Sequence, residues 1–213
     1  MLNGCATSAG EVATVKAGSS HDKPAFVRLL NLSSEGASMV DRGRQVVPPV
    51  SPNLASSFTT FPSGERTLQI KGKSANLNLK MDMKPGTSAL IVLGSNGRTS
   101  STLEDARAPQ RGHNLKLIYL NSDGSLRSSG PSVTLANSGG HLVLSAKDST
   151  VTVPEGNWNV SANDLRKADT LTVAPDTTYD LVLVKGKNAH YVELVLSHLF
   201  IETGKMAGMG KMN

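Results

Sequence analysis

The sequence predicts an all-β protein built as two tandem small β-sandwiches. Three observations lead there: short runs in which apolar and polar residues alternate, glycine-bearing turns between those runs, and landmarks that recur about 90 residues apart. The alternation is clearest in Leu77-Asn78-Leu79-Lys80-Met81-Asp82-Met83-Lys84. A period of two places one row of side chains on a buried face and the other in solvent, the pattern of a half-buried strand. No long stretch carries the 3.6-residue period of a helix.

Taken in chain order, residues 1–23 form a Gly/Ala/Ser/Thr-rich arm without period, which cannot bury enough apolar area to offset its ordering entropy. Ala25-Phe26-Val27-Arg28-Leu29-Leu30-Asn31 is the first strand. Arg42-Gly43-Arg44 and Lys71-Gly72-Lys73 read as exposed turns. Pro62-Ser63-Gly64-Glu65 leads into a strand with Leu68 and Ile70, and Lys84-Pro85-Gly86-Thr87 into the apolar run Ala89–Leu93. Ser95-Asn96-Gly97 is a turn, and the Ser/Thr/Arg/Pro-rich stretch 98–113 reads as a linker.

The pattern then repeats. Leu115–Leu120 ends in Asn121, ninety residues after Asn31, and Asp123-Gly124 follows as a turn. Pro154-Glu155-Gly156-Asn157 leads into Trp158 and Val160, and Ala174-Pro175-Asp176-Thr177 into Tyr179–Val184. Between them, Ser161–Lys167 fits one turn of helix, and Leu171 with Val173 another strand. A hairpin through Lys185-Gly186-Lys187-Asn188 reaches Tyr191–Phe200, read mainly as the last strand. Three landmarks in the same order and register argue for duplication rather than chance turns. The division is thus a disordered arm 1–23, a first sandwich 24–97, a linker 98–113, a second sandwich 114–201 and a disordered tail 202–213. The sandwiches are of an immunoglobulin-like or carbohydrate-binding-module-like kind. About 90 residues give each a thin core, so the two are expected to pack against each other.

Composition narrows the chemistry. The 213-residue chain has 38% apolar and 4% aromatic residues, and no apolar run long enough for a membrane helix. Its one cysteine, Cys5, makes no internal disulfide, and none of the five histidines lies in a His-Glu-x-x-His zinc motif. A serine nucleophile elbow, a phosphate-binding glycine loop and an Asp-rich calcium loop are all missing. The reading is therefore of a protein that is not an enzyme and holds no cofactor or metal.

Charge is uneven. Residues 22–110 hold eleven Lys/Arg against seven Asp/Glu, whereas 111–200 hold eight of each. Arg42, Arg44, Lys71, Lys73 and Lys80 therefore form a candidate surface for an acidic polymer or partner, against the plainer reading of solvated charge. A net charge of +5 with so few aromatics speaks against nucleic acid. Arg28 stands inside an apolar strand, so it either faces outward, where it joins the candidate surface, or finds a partner. Trp158, the one indole, is either core or a platform on which a sugar stacks.

The run Ala25–Asn31, the Pro-x-Gly-led strand and Met83-Lys84-Pro85-Gly86-Thr87 with its apolar strand resemble the AlgF family of alginate O-acetylation proteins. The second half fits through Asn121, Leu171-Thr172-Val173-Ala174-Pro175-Asp176 and the closing hairpin, so the resemblance spans about residues 24–200. It is one of layout and brings no catalytic residues. The same opening resembles short β-sandwich repeats of bacterial surface proteins. The AlgF resemblance implies a periplasmic accessory protein that positions a membrane-bound O-acyltransferase and esterase-like acetyltransferases beside an exported polysaccharide, alginate or cellulose. The alternative is a carbohydrate-binding or adhesive cell-surface module. Leu2-Asn3-Gly4-Cys5 resembles the end of a bacterial lipoprotein signal, which makes Cys5 a candidate lipidation site, or else a lone thiol. The Met-rich tail and the absence of a secretion signal before Cys5 depart from the AlgF pattern.

Overall fold

The structure, a computed structural model, describes residues 24–199 except 74–75, 106–113, 146–150, 164–168, 174–176 and 187–190. The described residues form seventeen strands and no helix. The first half holds β1 (Ala25–Asn31), β2 (Ala37–Asp41), β3 (Arg44–Val50), β4 (Leu54–Ala55), β5 (Thr59–Phe61), β6 (Gly64–Gly72), β7 (Asn76–Met83), β8 (Thr87–Leu93) and β9 (Thr99–Asp105). The second holds β10 (Asn114–Asn121), β11 (Val133–Asn137), β12 (Gly140–Leu144), β13 (Val151–Thr152), β14 (Gly156–Ala162), β15 (Asp169–Val173), β16 (Thr177–Lys185) and β17 (Tyr191–Leu199).

Each half makes two sheets, and all but one of the first half's nine strands have a counterpart among the eight of the second. The outer sheets run β3-β2-β6-β7 and β12-β11-β14-β15, and the inner sheets β4-β1-β8-β9 and β13-β10-β16-β17. Short β5 pairs the start of β1 as β13 pairs the start of β10, and β4 is an addition of the first half. In both inner sheets the central pair is parallel, with Asn31 opposite Leu93 and Asn121 opposite Lys185. The remaining pairings are antiparallel, so each half is a sandwich with one parallel seam at its centre.

The repeated sequence landmarks have physical jobs. Asn31 is fully buried where β1 ends. Its Nδ2 donates to the carbonyls of Glu35 (2.7 Å) and Val50 (2.8 Å), and its Oδ1 accepts from the Ser33 amide and hydroxyl. Asn121 holds the equivalent place at the end of β10 with side-chain partners instead, donating to Ser125 Oγ at 2.8 Å and accepting from the Arg127 guanidinium at 3.1 Å. An amide can both donate and accept, and at Asn31 it satisfies backbone groups of the turn that follows β1. The Pro-x-Gly turns place Gly64 at φ 110° and Gly156 at φ 129°, where a side chain would be strained. In each turn the side chain two residues after the glycine reaches back to the proline carbonyl: Arg66 Nε to Pro62 at 3.2 Å, Trp158 Nε1 to Pro154 at 2.9 Å.

Three apolar clusters follow from the strand alternation. One row of β1 and β8, including Val27, Leu29, Ala89 and Ile91, packs on Met39, Leu68, Ile70 and Met83 of the first outer sheet. Leu117, Leu181 and Leu183 pack on Leu135, Trp158, Val160 and Leu171 in the second half. The opposite rows of the two inner sheets meet each other: Leu30, Leu90 and Val92 against Ile118, Leu120, Val182 and Val184, with Leu32 beside them. The four sheets are therefore stacked, outer-inner-inner-outer, and both inner sheets are covered on both faces. That explains why β1, β8, β10 and β16 read as continuous apolar runs while the outer strands alternate. Each fully buried aliphatic side chain in this third cluster contributes about 1.5–3 kcal/mol.

One sequence expectation needs correction. The stretch 98–113 was expected to be a linker, yet Thr99–Asp105 is β9, paired along its length with β8. Serine and threonine are compatible with an edge strand, whose outer side faces solvent, so polarity alone does not separate linker from edge. Residues 106–113, the arm 1–23, the tail 202–213 and most of the expected helical turn lie outside the described residues; Ser161 and Ala162 end β14.

The two halves also interlock through their backbones. Ser95 N donates to Ser122 O at 2.8 Å, and a Cβ placed on Gly94 would stand 2.0 Å from Asp123 O. No side chain fits there. Gly94→Ala is therefore expected to destabilise the protein by about 1–3 kcal/mol. Gly36→Ala, whose Cβ would meet only Val50 O at 3.9 Å, is the control and should shift the urea midpoint far less. Equal midpoints for the two variants would remove the interlock from the account.

Candidate functional site

Strand alternation and hairpin turns position the basic residues of the first half. On β6, Leu68 and Ile70 point into the core, so Thr67, Gln69 and Lys71 line the outer face; on β7, Met81 and Met83 point inward, so Asn76, Asn78, Lys80 and Asp82 do. The register sets Lys71 opposite Asn76, Gln69 opposite Asn78, Thr67 opposite Lys80 and Glu65 opposite Asp82. Gln69 Nε2 donates to Asn78 Oδ1 at 3.3 Å across the strands. The result is a polar face of two lysines, three amides and a hydroxyl, with its two acids gathered at the Gly64 end.

Of the expected basic residues, Lys71, Lys73 and Lys80 belong to this face and its adjoining turn, and all three are exposed. Lys71 and Lys80 stand about four residues apart along the strands, or roughly 13 Å. Arg42 and Arg44 are exposed on the β2–β3 hairpin, where Arg42 (φ 49°) and Gly43 (φ 80°) make the two-residue turn. Because Asp41 is opposite Leu68 while Ala37 is opposite Gly72, that hairpin tip lies at the other end of the sheet from Lys71 and Lys73. The structure thus spreads the five cations over one sheet and concentrates only the lysines. Arg66, beside them in sequence, is engaged inward with Asp41 at 2.7 Å.

Two candidate surface residues are corrected. Trp158 is 4% exposed in the second core, and its indole N–H is satisfied by Pro154, so it is no sugar platform. Arg28 is 2% exposed, so it belongs to no binding surface. It does point away from its own sandwich, but the second sandwich covers it there. Its guanidinium pairs with Asp180 of β16, which is itself 3% exposed, and its Cζ lies 4.6 Å from the centroid of the Phe58 ring. Asp180 is in register with Lys116 on the neighbouring strand. The pair links the two halves inside the layer that separates the inner sheets. Cys5, the candidate lipidation site, lies outside the described residues.

Residues missed by sequence reasoning are the outer-face amides. Gln69, Asn76 and Asn78 carry no motif, and only the β6–β7 register brings them beside Lys71 and Lys80. Asp123 is marked in the sequence only as part of a turn. Its carboxylate is held below the ordinary range, first by the Ser125 hydroxyl, then by the Ser125 amide, with Arg98 of the first half helping. Among the described residues no three His, Cys, Asp or Glu side chains are grouped to hold a metal, and no helix is long and apolar enough to cross a membrane.

No family model matches the chain, and no curated protein matches it. Among solved structures it is similar to a "putative cell adhesion protein" from Bacteroides ovatus, at 12% identity over 85% of this chain and 99% of that one, with a TM-score of 0.26. A second, a "putative cell adhesion protein" from Bacteroides uniformis, aligns at 8% identity over 84% of this chain and 99% of that one, with a TM-score of 0.22. Likenesses of that size leave the strands and their pairing as the ground for the fold.

Two measurements check this geometry. Arg28→Ala or Asp180→Ala strands the other charge in a dry layer and should cost about 3–5 kcal/mol in urea unfolding, while the joint change Arg28→Met with Asp180→Leu should recover most of that loss. If both singles are near neutral, the pair is not buried in solution. Asp123 has a lowered folded pKa, so its contribution is complete above the ordinary carboxylate range and is lost as pH falls through the lowered value. Ser125→Ala should move its NMR titration upward toward the ordinary 3.8; an unmoved titration refutes the assigned cause.

Proposed function

We propose that this chain is a non-catalytic binding module of the bacterial cell envelope, which attaches to an anionic exopolysaccharide through the outer face of its first sandwich. The observation that carries the reading is the β6–β7 face, where Lys71 and Lys80 stand among Gln69, Asn76, Asn78 and Thr67, while the acids Glu65 and Asp82 are confined to its Gly64 end. Ammonium groups attract carboxylates along a polymer, and amides and hydroxyls exchange hydrogen bonds with sugar hydroxyls. A pleated sheet face is long and open, which suits an extended chain rather than a small molecule enclosed in a pocket. The face is built on paired strands whose opposite side is packed in the core, an arrangement that limits the conformational freedom lost on binding.

A second reading has its own support. The resemblance of the sequence's layout to the AlgF family over about residues 24–200 favours an accessory role in O-acetylation of alginate or cellulose. The protein would then hold a membrane-bound O-acyltransferase and esterase-like acetyltransferases near the emerging polymer, raising effective concentration rather than making bonds. In both readings the chain works in the periplasm or at the surface, with Cys5 as the candidate anchor.

Affinity electrophoresis in gels containing alginate, against gels containing neutral hydroxyethylcellulose, tests the first reading. Retardation should be confined to alginate, should fall with added salt, and should drop roughly three- to tenfold for Lys71→Ala with Lys80→Ala. Absence of retardation in both gels removes the polymer-binding reading. A deletion strain whose polymer is made but lacks acetyl groups would establish the accessory role; unchanged acetyl content would end it.

A further inference from the structure

We infer that the outer edge of β17 pairs antiparallel with β17 of a second copy of this chain, joining two inner sheets into one eight-stranded sheet across a two-fold axis. An unpaired strand edge exposes a row of amide and carbonyl groups, and natural proteins blunt such edges. Most edges here are visibly blunted. β3 carries Pro48 and Pro49 and two register shifts, and β4, β5 and β13 are two or three residues long. β7 bears Lys80 and Asp82, while β12 and β15 have five residues each. β9 is rich in hydroxyls and ends in Glu104-Asp105.

β17 is different. It is nine residues long, reads Tyr-Val-Glu-Leu-Val-Leu-Ser-His-Leu, and contains neither Pro, Gly, Lys nor Arg. Among the described strands it pairs with β16 alone and so forms the edge of its sheet. The duplication supplies an internal control. β9 holds the equivalent place beside β8, where Val92 and Leu90 are opposite Ser100 and Thr102. In the second half the matching residues Val184 and Val182 are opposite Val192 and Leu194. The architecture accepts hydroxyls at this edge in one half and has aliphatics in the other, so the fold itself does not demand an apolar edge there.

The occupant follows from the same nine residues. Antiparallel pairing centred on Val195 sets Leu194 opposite Leu196, Val192 opposite His198, Tyr191 opposite Leu199 and the one acid, Glu193, opposite Ser197. No like charges meet, and the central positions match aliphatic to aliphatic. The inner sheet is sandwiched between two others, so a second copy would extend it with a sheet of the same layered kind. The contact is main-chain pairing, the mode by which exposed edges recruit strands.

Sedimentation velocity on the full chain from 1 to 100 µM tests the inference. A concentration-dependent dimer is expected. Ser197→Glu places two pairs of like charges across the axis and should weaken the dimer by about tenfold, whereas Ser197→Lys, of similar size, should retain or tighten it. A fold defect would affect both variants alike, and far-UV circular dichroism on each separates that case. A monomer at 100 µM overturns the inference. So does a dimer that Ser197→Glu leaves unchanged, since another surface must then hold it. A monomer that dimerises only after removal of residues 1–23 or 200–213 also overturns it, because the chain's own segment would then be the occupant.

Discussion

A guanidinium and a carboxylate that cannot reach water fix how the two halves meet. Arg28 and Asp180 are each almost wholly buried, and they come from strands 152 residues apart in the chain. Charges removed from water need a partner in good geometry, and only one relative placement of the inner sheets supplies it. The aliphatic rows around the pair, Leu30, Leu90 and Val92 against Ile118, Leu120, Val182 and Val184, provide the attraction without direction. The ion pair supplies direction. The Ser95–Ser122 backbone bond and the close approach of Gly94 to Asp123 hold the same placement at the edge of the layer's strands.

The placement converts two modest sandwiches into one stack with two polar outer faces. A sandwich of about 90 residues has a thin core. Here each inner sheet serves two cores at once, its odd row packing within its own half and its even row against the other half. The outer sheets keep one wet face each, and their chemistry has diverged. The first presents Lys71 and Lys80 among amides; the second presents Asn157, Asn159, Thr170 and Thr172, with Thr172 bonded to Asn157 at 2.8 Å. Divergence is permitted there because solvent-facing residues of an outer sheet have little influence on packing.

Much of this was legible in the sequence, for local reasons. Alternation located β6, β7 and β14, and the recurring Asn and Pro-x-Gly landmarks revealed the duplication, the Pro-x-Gly turns because each half needs a glycine at positive φ there. That Arg28 needs either solvent or a partner was also readable, because a charge inside an apolar run must find one of the two. Which of them it has was not, since Asp180 has no sequence feature that ties it to Arg28. β9 was hidden for a related reason, as hydroxyl-rich edges and linkers share a composition. The amides beside Lys71 and Lys80 emerge only from the register between β6 and β7. Trp158 left two readings open, and its location two residues after Gly156 decides it, because the strand turns that position inward.

The asymmetry of the buried pair bears on how the chain is made. By strand register Arg28 corresponds to Ile118 and Asp180 to Ser88, so neither half could dock on a duplicate of itself without burying a charge against a neutral group. The first inner sheet is complete once Asp105 has been synthesised, yet its cover requires Asp180, some 75 residues later. At 5–20 residues per second that interval is roughly 4–15 s. Throughout it the row Leu30, Leu90 and Val92 has no lid, and a nascent chain beside another on the same messenger could stick to it. Docking two such half-made surfaces would bury Arg28 with no carboxylate to meet it, a cost of several kcal/mol that Asp180 removes in the finished fold.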